Sequence, residues 1–295
     1  MQIKRGYFLP IRKYLTRNGS PDGHITKRLQ QMVRNPRRIS VPVFLMGNGR
    51  SGTSMVVFHL ARSYAVDLYN ENHPLAFEEF HLKEMPVIEK LIAQSYARVT
   101  LFKPILDTYL SRSLLDHFAN ARILFMFRHY DDVVNSARIR FFDKPVNEGK
   151  ATYEDLIPPV DRWITEDFAE YAQARPPEAL LDHIRALHRF DLTLESKIAL
   201  HWILHNRLYF DLNLDTDERV FPIQYETLVQ QPHEIMVALC AFLGIPFEES
   251  LMGGIHAESI RRRAAPVLEP HIRDACEALW QQLIGVPAAQ DGQDG

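Results

Sequence analysis

The apolar run Pro42 to Met46 leads straight into Gly47-Asn48-Gly49-Arg50-Ser51-Gly52-Thr53-Ser54, and a segment with helical spacing follows. A buried strand, a glycine-rich turn and a helix in that order constrain this chain more than any other stretch. Backbone N–H groups of Gly47, Gly49 and Gly52, the hydroxyls of Ser51, Thr53 and Ser54, and the positive end of a helix would all be directed at one anion. A phosphate-bearing ligand is implied. Gly47 to Gly52 has the spacing of G-x-x-x-x-G-K-[ST], but Thr53 fills the lysine slot and the cation comes earlier, at Arg50. That displacement argues against nucleotide hydrolysis and against a P-loop kinase, which would also need Mg²⁺ ligands. The plainer alternative is a strand-turn-helix junction whose glycines only make the turn.

Further strands are expected at Val99–Lys103, Ile123–Phe127 and Arg219–Gln224. Helices are expected at Thr53–Tyr64, Thr108–Ala119, about Asp131–Arg140, Trp163–Gln173, Glu178–Arg189, Leu194–Leu212, Pro232–Leu243 and Pro270–Leu283, with a loop over Pro145–Pro159. Alternating strands and helices mean an α/β fold, a parallel sheet with helices on both faces. Ligands of such sheets sit beyond the carboxyl ends of the strands. The domain organisation read from this is a basic N-terminal arm at 1–40, one domain at 41–285 with a helical insertion at about 142–190, and a tail at 286–295.

Charge is uneven along the chain. Ten basic residues (Lys4, Arg5, Arg12, Lys13, Arg17, Lys27, Arg28, Arg34, Arg37 and Arg38) precede the glycine loop with Asp22 as the only acid, although the net charge is -3. Such a run reads as a solvated arm, with peripheral contact to an acidic partner or membrane surface as the alternative. It lacks interleaved aromatics at a recognised module spacing, so nucleic-acid binding is not expected. The patch Tyr7 to Ile11 is too short for an export signal. No apolar run approaches the roughly 20 residues of a transmembrane helix. Cys240 and Cys276 make neither a disulfide framework nor a zinc spacing, which fits a cytoplasmic protein. His201 and His205 stand i, i+4 on one helix face but have no third ligand at diagnostic spacing, so helix packing or acceptor contact is expected there and no metal.

The segment Arg122 to Ser136 is the second chemical constellation. A strand ending on Arg128 puts a guanidinium at the ligand edge, and Ser136, eight residues on, reaches the same region from the next helix; together they make a phosphate clamp. A strand-end arginine also pairs readily with an acid, here Asp131 or Asp132.

With both constellations in hand, the sequence resembles the sulfotransferases that use 3′-phosphoadenosine 5′-phosphosulfate (PAPS). Arg50-Ser51-Gly52-Thr53-Ser54 matches the family loop that holds the 5′-phosphosulfate, and Arg128 with Ser136 matches its 3′-phosphate pair. Tyr225-Glu226-Thr227-Leu228 and Phe242-Leu243-Gly244-Ile245-Pro246 resemble its Y-E-x-L and F-L-G-[IL]-P segments. The likeness runs from about Val41 to Arg263 and departs at His129-Tyr130, where the family often has a polar residue and proline. It implies a P-loop-like sulfotransferase fold, Gly49 to Ser54 and Tyr225 as cofactor contacts, and Arg261, Arg262 and Arg263, with Ser259, closing over the 3′-phosphate.

The implied reaction moves a sulfuryl group from PAPS to a hydroxyl, or an amine, and releases adenosine 3′,5′-bisphosphate (PAP). It requires no metal. A cation is needed at the leaving phosphate oxygen and a base at the acceptor. Arg50 supplies the first. Glu71 is the candidate base, after the first helix and at the next strand's end, with Glu78, Glu79 and His73 as alternatives. Lys103, in Phe102-Lys103-Pro104, resembles a family lysine near the transferring group. The acceptor, a carbohydrate, lipid or small molecule, is not readable. A non-catalytic nucleotide-binding scaffold would keep Arg128 and Ser136 without a working base.

Overall fold

The computed structural model describes residues 21–37, 39–142, 178–188, 191–255 and 260–285. The expected Pro145–Pro159 loop, the Trp163–Gln173 helix, Ser259 and the 286–295 tail lie outside them. In chain order the elements are α1 (Pro21–Arg34), β1 (Val41–Gly47), α2 (Thr53–Leu60), β2 (Val66–Tyr69), β3 (Phe77–Glu78), β4 (His81–Leu82), α3 (Met85–Gln94) and β5 (Val99–Phe102). A 3₁₀ turn (Ile105–Leu110), α4 (Ser111–His117), β6 (Arg122–Phe127), α5 (Tyr130–Ala137) and a wider π turn (Arg138–Phe142) follow. After them come α6 (Glu178–Leu187), α7 (Leu194–Asp211), β7 (Val220–Gln224), α8 (Tyr225–Gln230), α9 (Pro232–Leu243) and α10 (Pro270–Ile284).

Five strands form one parallel sheet in the order β2-β5-β1-β6-β7. Successive residues of a strand point to opposite faces. Val43 and Leu45 therefore pack with Val56, Val57 and Leu60 of α2 and Met236 and Leu239 of α9, while Phe44 and Met46 pack with Leu114, Val133, Val134 and Trp202 on the other side. Each fully buried side chain of this size contributes about 1.5–3 kcal/mol. The chain leaves β1 toward β2 and, after β5, crosses to β6 on the opposite side. Strand order thus reverses at the β1/β6 boundary, where a crevice opens beyond the carboxyl ends. Register pairs Gly47 with Met126, so the glycine loop and Arg128 leave the sheet side by side.

Several segments depart from expectation. From Pro21 onward the basic leader is a docked helix and not a solvated arm. Lys27 and Gln31, one turn apart, reach over the edge of the sheet: Lys27 Nζ donates to the carbonyls of Ala61 (3.0 Å) and Val66 (2.7 Å), and Gln31 Nε2 donates to Tyr64 O (2.9 Å) and Asp67 Oδ1 (2.7 Å). The helix expected over Thr108–Ala119 begins only at Ser111, because Thr108 bonds back into the preceding turn through Ile105 O. The α3 and α8 helices stand outside the expected set.

Candidate active site

The loop after β1 is shaped by two left-handed glycines. Gly47 has φ 116°, and a Cβ there would collide with the Met126 carbonyl on β6. Gly52, at φ 91°, precedes α2, and its Cβ would strike the Tyr225 ring. Gly49, by contrast, faces open space. Between them Arg50 holds φ 69°, a left-handed conformation that costs a non-glycine residue about 1–2 kcal/mol. One expectation is corrected here: the Gly47 N–H is not offered to a ligand but donates to Thr108 Oγ1 at 3.1 Å. The buried threonine uses it to anchor the loop.

The rest of the loop fits an oxyanion. Ser51 is wholly buried, Thr53 nearly so, and neither Ser51 Oγ nor Asn48 Nδ2 has a hydrogen-bond partner among the described residues. Burying such a group unsatisfied costs about 1–3 kcal/mol. A phosphate at the α2 N-terminus would satisfy both.

Arg128 extends from the end of β6 under the same loop. Its guanidinium stacks on Tyr225 (4.2 Å to the ring centre), pairs with Asp132 Oδ2 at 3.3 Å and donates to the Arg50 carbonyl at 3.5 Å. Of the two acids expected as ion-pair partners, Asp132 takes the role. The Arg128 carbonyl accepts from Trp202 Nε1 at 2.9 Å. Arg50 Nε donates to Ser136 Oγ at 3.1 Å, which joins the loop cation to the clamp serine. Tyr225 is at once a core residue and the wall between Gly52 and Arg128.

Departure from the family pattern at His129-Tyr130 is accommodated locally. His129 Nδ1 accepts from Asp131 N at 3.2 Å and so caps α5, and His129 N donates to Glu226 Oε1 at 3.0 Å. Burial lowers the His129 pKa, consistent with a neutral ring that accepts. Burial likewise raises the Glu226 carboxyl against the His129 hydrogen bond.

On the β2/β5 side Lys103, 1% exposed, directly follows β5. Its ammonium lies 2.8 Å from Glu71 Oε2 and donates to Ser54 Oγ at 2.9 Å. Burial pushes the Lys103 pKa down, Glu71 opposes the shift and Arg50 adds to it. Arg50 is also lowered, first by burial, then by Arg140 and Arg128, with Glu71 opposing. Arg50, Lys103, Arg128 and Arg140 therefore crowd one site whose acids are Glu71, Asp132 and Glu226. An anionic ligand would relieve that repulsion.

The alternatives to Glu71 sit elsewhere. Glu78 and Glu79 are exposed in the β3–β4 hairpin, and His73 Nδ1 is occupied by Leu75 N at 3.3 Å. In the late basic segment, Arg261 reaches the site through its backbone: its N–H donates to Asp132 Oδ2 at 3.1 Å, while the side chains of Arg261, Arg262 and Arg263 are exposed. His201 and His205 lie with ring centres 4.3 Å apart, and no group of three metal-ligating side chains occurs among the described residues.

Sequence reasoning missed Arg140, Asp132 as the hub between Arg128 and Arg261, and Trp202 and Thr108 as backbone anchors. Arg140 alone carried a readable signal, since it follows Ser136 by four residues and so shares its helix face.

The profile of the sulfotransferase domain matches residues 40–262. The chain belongs to the sulfotransferase family. Among solved structures, this sulfotransferase is similar to one from Alicyclobacillus acidocaldarius, with 15% identity, a TM-score of 0.46, and coverage of 83% of this chain and 94% of that one. It is also similar to the sulfotransferase domain of the Synechococcus PCC 7002 olefin synthase (19%, 0.42, covering 86% and 91%) and to a mouse sulfotransferase complexed with PAP (15%, 0.43, covering 88% and 91%). None of the curated proteins matches it. Among the described residues, no helix of the sulfotransferase is long and apolar enough to cross a membrane.

Proposed function

We propose that this sulfotransferase takes its sulfuryl group from PAPS and passes it to a hydroxyl of a carbohydrate, lipid or small-molecule acceptor, releasing PAP. The observation that carries the reading is the joining of two anion sites by Arg50. Its backbone lies in the glycine loop, its carbonyl meets Arg128 and its Nε meets Ser136. A donor with a phosphate at each end would engage both sites. Its 5′ end would sit at Ser51, Gly52 and the α2 N-terminus, and its 3′-phosphate would lie at Arg128 and Ser136, with the Arg261–Arg263 segment held nearby through Asp132.

In the transfer an acceptor oxygen bonds to sulfur as the bond from sulfur to the 5′-phosphate oxygen breaks, and charge develops on that leaving oxygen. Arg50 stabilises the charge electrostatically, because a guanidinium does not give up its proton. Lys103 faces the sulfuryl oxygens. Glu71, paired with Lys103, takes the acceptor proton. The two buried cysteines, Cys240 and Cys276, remain free thiols and support a cytoplasmic location.

Calorimetric titration with PAP, against AMP and ATP with Mg²⁺, tests the donor on the wild-type chain and on Arg128→Ala. Binding that requires the 3′-phosphate and weakens at least tenfold in the variant is expected. Preference for ATP with Mg²⁺, or equal affinity for AMP and PAP, would overturn the reading.

A further inference from the structure

At the opposite end of the sheet, a cavity of about 440 Å³ is lined by Arg34, Arg37, Arg98 and Arg122, with Ile39, Val41 and the Leu243-Gly244 end of α9 completing its wall. It lies at the amino ends of the strands. Val41 opens β1 and Gly47 closes it, so the cavity and the glycine loop are separated by six residue steps, about 20 Å at ~3.3 Å each. The donor site therefore does not extend into it.

No acidic residue lines the cavity, and none of its four arginines forms an ion pair among the described residues. Two of them have structural work. Arg98 Nη1 donates to Gly244 O at 3.3 Å and Arg122 Nη1 donates to Phe242 O, so both cap the C-terminal carbonyls of α9. That helix end offers only a fraction of a negative charge. Arg34 and Arg37 come from α1 and the segment after it; Arg34 stacks over Tyr64 (4.1 Å), and both are exposed. Those contacts leave four guanidinium groups around one concavity of ligand-binding size with no acidic residue in its lining.

We propose that this cavity is a second anion site, distinct from the donor site, and that it takes a small polyanion carrying two or more phosphate groups. Guanidinium forks recognise phosphate oxygens bidentately, and four of them lining one cavity suit a ligand with more than one phosphate. Such phosphates occur free or on a lipid headgroup. Exposed Leu29, Met32 and Val33 on α1, together with the exposed Ile39 in the wall, would lie against the acyl region in the second case.

The test uses the full chain with two probes, free inositol hexakisphosphate by calorimetry and phosphatidylcholine vesicles with or without phosphatidylinositol 4,5-bisphosphate by co-sedimentation. Each is run on wild type, on Arg34→Gln/Arg37→Gln and on Arg128→Ala. The double variant changes exposed side chains that make no backbone hydrogen bond, and its fold is checked by circular dichroism. The expected result is binding that falls at least tenfold in the double variant and is unchanged in Arg128→Ala. Binding of the free probe would identify a soluble polyanion, and binding confined to phosphoinositide vesicles a lipid headgroup. No binding in either arm, equal binding by the double variant, or loss in Arg128→Ala would overturn the proposal.

Discussion

Glu71 and Lys103 form an ion pair whose two halves are unequally buried, and that inequality makes a directional prediction. Their charged atoms are 2.8 Å apart, with the Lys103 side chain 2% and the Glu71 side chain 26% exposed. The gross attraction at this 2.8 Å separation is about 6 kcal/mol at an effective dielectric of about 20. Glu71→Gln leaves an ammonium buried beside Arg50 with only a neutral acceptor, and removing one partner of a buried pair costs about 3–5 kcal/mol. The amide oxygen and partial access of water at position 71 reduce this, so a loss of about 2–3 kcal/mol is expected, a fall in Tm of about 3–5 °C. Lys103→Met leaves instead a carboxylate that can turn to water and replaces a buried charge with an apolar side chain of similar length. Its stability is expected within about 1 kcal/mol of wild type. Differential scanning calorimetry of both variants at neutral pH measures the difference. A Lys103→Met variant several kcal/mol less stable than Glu71→Gln would refute the argument that the ammonium is the costly half. Both variants should lose turnover whatever their Tm, by about 10²–10⁴-fold for the base.

Stability should rise with pH faster in wild type than in Lys103→Met as the pH approaches 10.5, because Lys103 is lowered in the fold from 10.5. Between the lowered value and 10.5 the unfolded chain binds the proton that the folded chain has released, so raising pH favours folding; parallel pH profiles would contradict this. Thr108→Val removes the acceptor of the buried Gly47 N–H and should cost about 1–3 kcal/mol in chemical denaturation, with weaker PAP binding as the loop loosens; an unchanged midpoint would show that the loop is anchored elsewhere. Gly52→Ala should abolish PAP binding, since its Cβ strikes the Tyr225 ring at a left-handed φ, whereas Gly49→Ala, facing open space, should keep the fold intact by circular dichroism. Equal effects of the two glycine substitutions would contradict the loop geometry.

The sheet was legible because buried parallel strands read as unbroken apolar runs, and Pro42–Met46 and Ile123–Phe127 have no other plausible fate. The shorter β2 was less so, since Asp67 interrupts four residues with a carboxylate whose purpose, accepting from Gln31 and Ser95, appears only in three dimensions. A similar blindness affected the leader. Ten basic residues in sequence look like one solvated run, yet the structure gives its members opposite fates: Lys27 is spent on backbone carbonyls, while Arg34 and Arg37 meet Arg98 and Arg122 from remote strands. The anion-binding loop announced itself because its ligand-facing groups are contiguous and glycines are needed to expose them. Arg140 and Asp132 did not, because their meaning depends on a balance of charge assembled from β2, β5, β6 and α5. Sequence spacing can specify the donors at a helix N-terminus, but an excess of positive charge is a property of the closed site. For the same reason two cationic concavities among the described residues, one at each end of the sheet, differ in how they were found: the first carries a contiguous motif, and the second exists only once the end of α1 and the segment after it meet Arg98 and Arg122.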